Sequence, residues 1–330
     1  MQFYKKKEGS DRIICLLCDH YCQLKEGQVG ICGVNKNEYG KLKNLVYGKI
    51  AALNIDPIEK KPLYHFLPSS SALSFGTVGC NFKCPFCQNW NISQEKIIET
   101  NSKDVSVAQL VSLAKGYGCK SIAYTYNEPT IFYPFAKDVA LLAKKSDIKS
   151  VFVTNGFESK EVVADFKGVI DAANIDLKSF NKSYYKKELG GNLDTVLRNI
   201  KDIYELGVWV EVTTLIVPTK NDSNSELREI AKFIASVNRY IPWHISAFHP
   251  DYKQTNLPRT SADMLLRAYE IGKEEGLEFI YFGNVGFDND TKCPNCSEVL
   301  IKRSGFNSEV VGLDGNRCKN CNRVLEGVFK

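Results

Sequence analysis

The chain has 330 residues, 44% of them hydrophobic, and its 43 basic and 38 acidic residues leave a formal charge of +5. That length exceeds one minimal domain and suits a single α/β barrel with small appendages, and the slight charge excess, with no long basic stripe, gives no reason to expect nucleic acid as a partner. No window approaches the ~20 continuous apolar residues of a membrane span and no export signal opens the chain, so the expectation is a cytoplasmic protein, with no membrane association, whose 12 cysteines stay reduced and available to metals.

Residues 1–71 form a Cys-rich amino-terminal segment. The short Lys5–Lys7 run is read as a solvated end. Cys15, Cys18, Cys22 and Cys32 total four thiolates, the last in a turn between Gly30 and Gly33. Zinc or an additional [4Fe-4S] cluster fits them, His20 could replace one ligand, and unligated thiols in a small core are the bland alternative. Tyr64 and His65 either close over the site or pack as a linker, and packing is the preferred reading.

Residues 72–287 alternate short β-branched runs with longer amphipathic stretches, as successive βα units of a parallel sheet do. Strands are expected at 72–77, 121–124, 150–153, 173–176, 209–216, 244–248 and 278–282. Helices are expected at 107–117, 131–145, 193–206, 225–237 and 262–275, with Gly207 and Gly276 as stop signals. The fold class is therefore α/β, a partial TIM-type (βα)6 barrel in preference to a doubly wound sheet. Asn127 and Glu128, Thr154 and Asn155, Asp176 and Lys178, and His249 all fall at or beyond carboxyl ends of strands, where barrels build active sites. Cys119 stands alone and reads as a small buried hydrophobe.

Directly after the first barrel strand, GCNFKCPFC presents Cys80, Cys84 and Cys87. Three thiolates can hold a [4Fe-4S] cube while leaving one iron without a protein ligand, the mark of a catalytic rather than a closed site. A structural zinc ion would need a fourth ligand nearby, and Gln88, Asn89 and Trp90 do not supply one. Residues 288–330 form a tail in which Cys293 and Cys296 pair with Cys318 and Cys321. This is a zinc-ribbon-like arrangement expected to bind a structural zinc ion, with rubredoxin-like iron as the alternative.

The cysteine spacing, with Phe86 before the last thiol, resembles the signature of radical S-adenosylmethionine (SAM) enzymes. The resemblance implies a [4Fe-4S] cluster and SAM as cofactors, with reductive cleavage of SAM to a 5'-deoxyadenosyl radical that takes hydrogen from a substrate the sequence does not name. It also implies that Phe86 joins the SAM-binding residues and that Asn127 and Glu128 match a Gly-Gly-Glu-like turn at the SAM amino group, although Tyr126 and Asn127 replace the glycines. Thr154 and Asn155 match positions around the SAM ribose and carboxylate in pyruvate formate-lyase activase-like members, Asp176 and Lys178 resemble the Asp and Lys of that subgroup and join the SAM-binding residues, and His249 matches a late His near the adenine. Over nearly its whole length, through CLLCDHYC, NIDPIEKKPLYHFLP, AYTYNEPT, VTNG, IDLK and WHISAFHPDYK, the chain resembles the radical SAM member of the AmmeMemoRadiSam system. That resemblance implies an electron donor such as ferredoxin or flavodoxin and partner proteins of that system. Activation of a glycyl-radical enzyme is the second reading, and a non-catalytic metal-binding scaffold the third.

Overall fold

The computed structural model describes residues 2–94 and 102–329. Its centre is an eight-stranded sheet, numbered here β1 (Ala52–Pro57), β2 (Ser71–Gly76), β3 (Ser121–Tyr124), β4 (Lys149–Thr154), β5 (Ala172–Asp176), β6 (Trp209–Ile216), β7 (Trp243–Ala247) and β8 (Ile280–Gly283). From β2 to β8 every neighbouring pair is parallel, and β1 pairs antiparallel with β2. The strands lie in chain order without a reversal, so each crossover adds its strand on the same side and the sheet is singly wound.

The crossover helices are α1 (Val107–Gly116), α2 (Tyr133–Lys144), α3 (Lys160–Asp165), α4 (Leu193–Glu205), α5 (Asn224–Val237) and α6 (Ala262–Glu274). Local chemistry sets their starts. Ser106 and Gln109 form a reciprocal capping box at α1, and Ser159, Asn192, Ser223 and Ser261 cap α3, α4, α5 and α6 through their side-chain oxygens. Each cap satisfies an N–H that the helix itself leaves unpaired. Strand β3 is buried at all four residues, as expected of a parallel strand covered on both faces. Among the described residues no helix is long and apolar enough to cross a membrane.

Strand β1 departs from expectation. It lies inside the stretch read as a separate amino-terminal segment, yet Ala52 to Pro57 register against Gly76 to Ser71 of the main sheet. Its side chains are mostly exposed or half-buried, so no apolar alternation marked it as a strand. The rest of the amino-terminal segment includes a three-stranded antiparallel sheet (Tyr4–Lys6, Ile13–Cys15, Gln23–Leu24). The tail contains a second such sheet (Thr291–Lys292, Val299–Ser304, Asn307–Val310) and a two-stranded one (Leu313–Asp314, Arg317–Cys318).

The tail is tied to the sheet through a buried polar chain. The Glu211 carboxylate accepts the Tyr64 and His65 N–H groups, at 2.9 and 2.7 Å, and the Trp209 Nε1–H at 3.0 Å. His65 contacts the Tyr281 hydroxyl through Nε2 and the Glu326 carbonyl through Nδ1, and Arg303 donates to the Tyr64 carbonyl. His65 is thus a packed linker residue rather than a lid over the site.

Candidate active site

The loop leaving β2 has to turn sharply while remaining against β3. Gly76 allows this, since a Cβ there would stand 2.4 Å from the Thr125 carbonyl. Asn127, just past β3, then clamps the loop. Its Oδ1 accepts the Thr77 N–H at 3.1 Å and its Nδ2 donates to the Thr77 hydroxyl at 3.0 Å and the Gly79 carbonyl at 2.8 Å. Cys80 follows immediately, and Phe82 N–H points at its sulfur at 3.4 Å. Phe82 packs so tightly under Gly191 that a Cβ there would meet the ring at 2.3 Å.

One cavity of about 470 Å³ brings the expected residues together: Cys80, Cys84, Phe86 and Cys87 line it with Asn127, Glu128, Thr154, Asn155, Asp176 and Lys178. That volume lies in the range of small-molecule sites. His249 stays outside the lining, half-exposed, and reaches the wall through Gln88 at 3.2 Å. Lys178 bonds Asp176 at 2.5 Å. Burial alone would drain the lysine's charge, but Asp176 and the neighbouring Cys84 outweigh it and hold the ammonium protonated. Burial raises the Cys84 thiol to about 12, opposed by Lys178, so ionised sulfur here requires a metal or another cation as partner.

Sequence reading missed several residues of the site. Glu158, at the entry to α3, is fully buried beside Glu128. Glu128 Oε1 accepts from the Thr130 and Thr154 hydroxyls at 2.6 and 2.8 Å, and Glu158 Oε1 faces the same hydroxyls at 3.2 and 2.5 Å. Two hydroxyls bring only two protons to these four contacts, so a proton on one carboxyl serves a third. Burial, then the like charge of Glu158, raises Glu128 to about 7, and burial raises Glu158 as well. Glu128 Oε2 accepts only the Asn155 N–H among these partners, at 2.7 Å, and so keeps acceptor capacity on the cavity side.

His244 of β7 also lines the cavity, with its Nε2 held by Glu211 at 2.6 Å. Burial would raise Glu211, but the hydrogen bond and charge of His244 more than offset it, keeping the carboxylate below its ordinary range. An acidic residue within the apolar run of β6 was the available signal, because an unpaired carboxylate is rarely buried there. Phe306 reaches the cavity from the tail, and nothing in the sequence marks it.

The tail thiols converge more tightly. Cys293 and Cys321 sulfurs lie 3.6 Å apart and Cys296 and Cys318 sulfurs 3.7 Å apart, and all four fall within 4.8 Å of one another. Four sulfurs about 2.3 Å from a single ion would stand about 3.8 Å apart at tetrahedral corners. The group can therefore hold one metal ion.

A sequence profile of the radical SAM superfamily matches residues 75–234, the stretch carrying the three cysteines and the strand-end polar residues through β6. The chain belongs to the radical SAM superfamily. A radical SAM protein is an enzyme, and membership implies a [4Fe-4S] cluster and SAM. An uncharacterized protein of Methanocaldococcus jannaschii is 41% identical over 332 residues, covering 99% of this chain and 98% of its own. A second protein of that archaeon, provisionally named a glycyl-radical enzyme activating enzyme, is 27% identical over 70% of this chain and 86% of its own. Among solved structures, Streptococcus suis SuiB bound to the precursor peptide SuiA matches with a TM-score of 0.52 at 16% identity, over 69% of this radical SAM chain and 51% of SuiB. That likeness speaks to the fold alone.

The residues present fit the implied group. Three thiols face a cavity, and Asn81, between Cys80 and Cys84, has a buried Nδ2 with no hydrogen-bond partner among the described residues. An unpaired buried donor is costly unless something accepts from it. Cluster sulfide would be such an acceptor.

Proposed function

We propose that this chain is a catalytic radical SAM enzyme in which Cys80, Cys84 and Cys87 hold a [4Fe-4S] cluster whose fourth iron is left for SAM. The observation that carries this reading is that three thiols, with no fourth thiol beside them among the described residues, share one cavity with the polar strand ends. When bound, the cluster supplies one electron to the SAM sulfonium, releasing a 5'-deoxyadenosyl radical that takes hydrogen from the substrate.

The chain's own residues hold and orient. Asn127 fixes the cysteine loop, Glu128 keeps acceptor capacity for an ammonium, and Thr154 and Asn155 fix the orientation of Glu128. The Asp176–Lys178 pair provides charge near Cys84, suited to a carboxylate or ribose. Phe82 and Phe86 exclude water from the thiols, which protects a radical reaction from quenching. His244 presents an imidazole inside the same cavity and is the candidate for substrate contact, with His249 at the rim. The unreversed strand order supports reading the sheet as a partial barrel with divisions near 71 and 287, and the tail thiols as a structural zinc site.

The electron would come from a carrier such as ferredoxin or flavodoxin, and the resemblance to the AmmeMemoRadiSam system makes that system's proteins the expected partners. Activation of a glycyl-radical enzyme is the alternative, favoured by the provisional name of the 27%-identical relative. Anaerobically reconstituted protein given dithionite and SAM should release 5'-deoxyadenosine, and the Cys84→Ala variant should release none. Equal behaviour of the two would overturn the reading.

A further inference from the structure

We propose that Cys15, Cys18, Cys22 and Cys32 hold a second iron-sulfur cube, closed by four protein thiolates and seated directly against the loop of the central three cysteines. The metal site stands on its own residues. Only its use, as an electron store for the central cluster, rests on the function proposed above.

The four thiols converge. Cys15, Cys18 and Cys32 are buried and Cys22 is half-buried, all as free thiols, and every pair among the four lies within electrostatic reach. The backbone holds them there. Cys15 N–H bonds the Cys22 carbonyl at 3.0 Å, Cys22 sulfur sits 3.5 Å from where a Cβ on Gly30 would stand, and Asn35 Nδ2 points at Cys32 sulfur at 3.4 Å.

The loops are shaped as metal knuckles. The N–H two residues beyond the cysteine donates to sulfur at Cys15 (from Leu17) and at Cys18 (from His20). The tail repeats this at Cys293 (from Asn295) and Cys321 (from Arg323).

Spacing separates a cube from a single ion. The tail sulfurs share a 4.8 Å span, whereas among the described residues no three of the amino-terminal thiols do. A single ion draws its sulfurs to within about 3.8 Å of each other. A cube binds each thiolate to a different iron and holds the sulfurs farther apart. Thiols in mutual reach but beyond single-ion contact fit the cube.

Position gives the site its use. The Cys32 carbonyl would lie 2.6 Å from a Cβ on Gly79, the residue before Cys80, and His20 Nε2 contacts the Asn81 carbonyl at 3.0 Å. The two cysteine-bearing loops are therefore in direct contact here, with the Val34 and His20 side chains at the junction. With every corner capped, the cube binds no substrate. It takes one electron from a low-potential one-electron carrier protein and passes that electron to the central cluster, with no bond made or broken.

The test uses the full chain reconstituted anaerobically with ferrous iron and sulfide. The Cys80→Ala/Cys84→Ala/Cys87→Ala variant should retain half the wild-type iron and, once reduced, an electron paramagnetic resonance signal that SAM does not shift. The Cys22→Ser/Cys32→Ser variant should lose that half and keep a SAM-responsive signal. Equal tail metal content in all three reports folding. Absence of iron from the central triple variant, or a second equivalent of zinc in its place, overturns the proposal. If the triple variant keeps its cube while wild type shows no SAM-responsive signal, this site stands and the enzymatic reading fails.

Discussion

Replacing Glu158 by glutamine isolates the proton shared above the threonine pair. The folded protein holds Glu128 at about 7 against an ordinary value of 4.5, so folding takes up a proton through that window. A carboxyl raised in this way stabilises the fold fully below about 4.5 and loses that contribution as pH climbs to about 7. At about 1.36 kcal/mol per unit the loss reaches at most about 3 kcal/mol. In a chain of 330 residues this corresponds to about 4 °C in melting temperature. His65 acts oppositely, because burial pushes it down to about 4 and its contribution is lost as pH falls below its ordinary value. The diagnostic is therefore the difference between wild type and Glu158→Gln, which share His65. Melting of the two reconstituted proteins, followed calorimetrically from pH 5 to 8, should show wild type losing ground to the variant as pH rises. A difference that stays flat across that range would refute the shared proton.

Two further substitutions probe the frame. Gly79→Ala places a Cβ at a backbone φ of +90°, 2.6 Å from the Cys32 carbonyl; neither side can yield, so stability should fall by about 1–3 kcal/mol and iron retention with it, measured by denaturant unfolding and iron analysis. Asp56→Asn leaves the Lys61 ammonium, with 3% exposure, facing an uncharged amide where the carboxylate stood at 2.7 Å, at a cost of about 3–5 kcal/mol, whereas Asp56→Asn with Lys61→Met should recover most of the loss in thermal melts.

Much of the sheet was legible because its signals are local. The runs at 121–124 and 209–216 coincide with β3 and β6, and the remaining strands of the parallel series shift by a residue or two at their ends. The five expected helices overlap α1, α2, α4, α5 and α6, with Gly207 and Gly276 just past the ends of α4 and α6, whereas the short α3 was not foreseen. What stayed hidden depends on distant partners. Strand β1 is recognisable only through its pairing with β2, and Glu158 reads as an ordinary helix-start acid until the chain folds it against Glu128. The cysteine triplet stood out as a candidate site because its chemistry lies in three closely spaced residues. The wall formed by His244 and Phe306, with Glu211 holding His244 from behind, is assembled from β6, β7 and the tail, which no sequence spacing links.

The central claim is that one iron of the Cys80–Cys84–Cys87 cluster has no protein ligand and is completed by SAM. Electron–nuclear double resonance on the reduced, reconstituted protein with SAM labelled at its amino nitrogen and carboxylate oxygen addresses this directly. The account predicts hyperfine coupling from both labels to the cluster, absent in Cys84→Ala. A reduced cluster that shows neither coupling in wild type would contradict it.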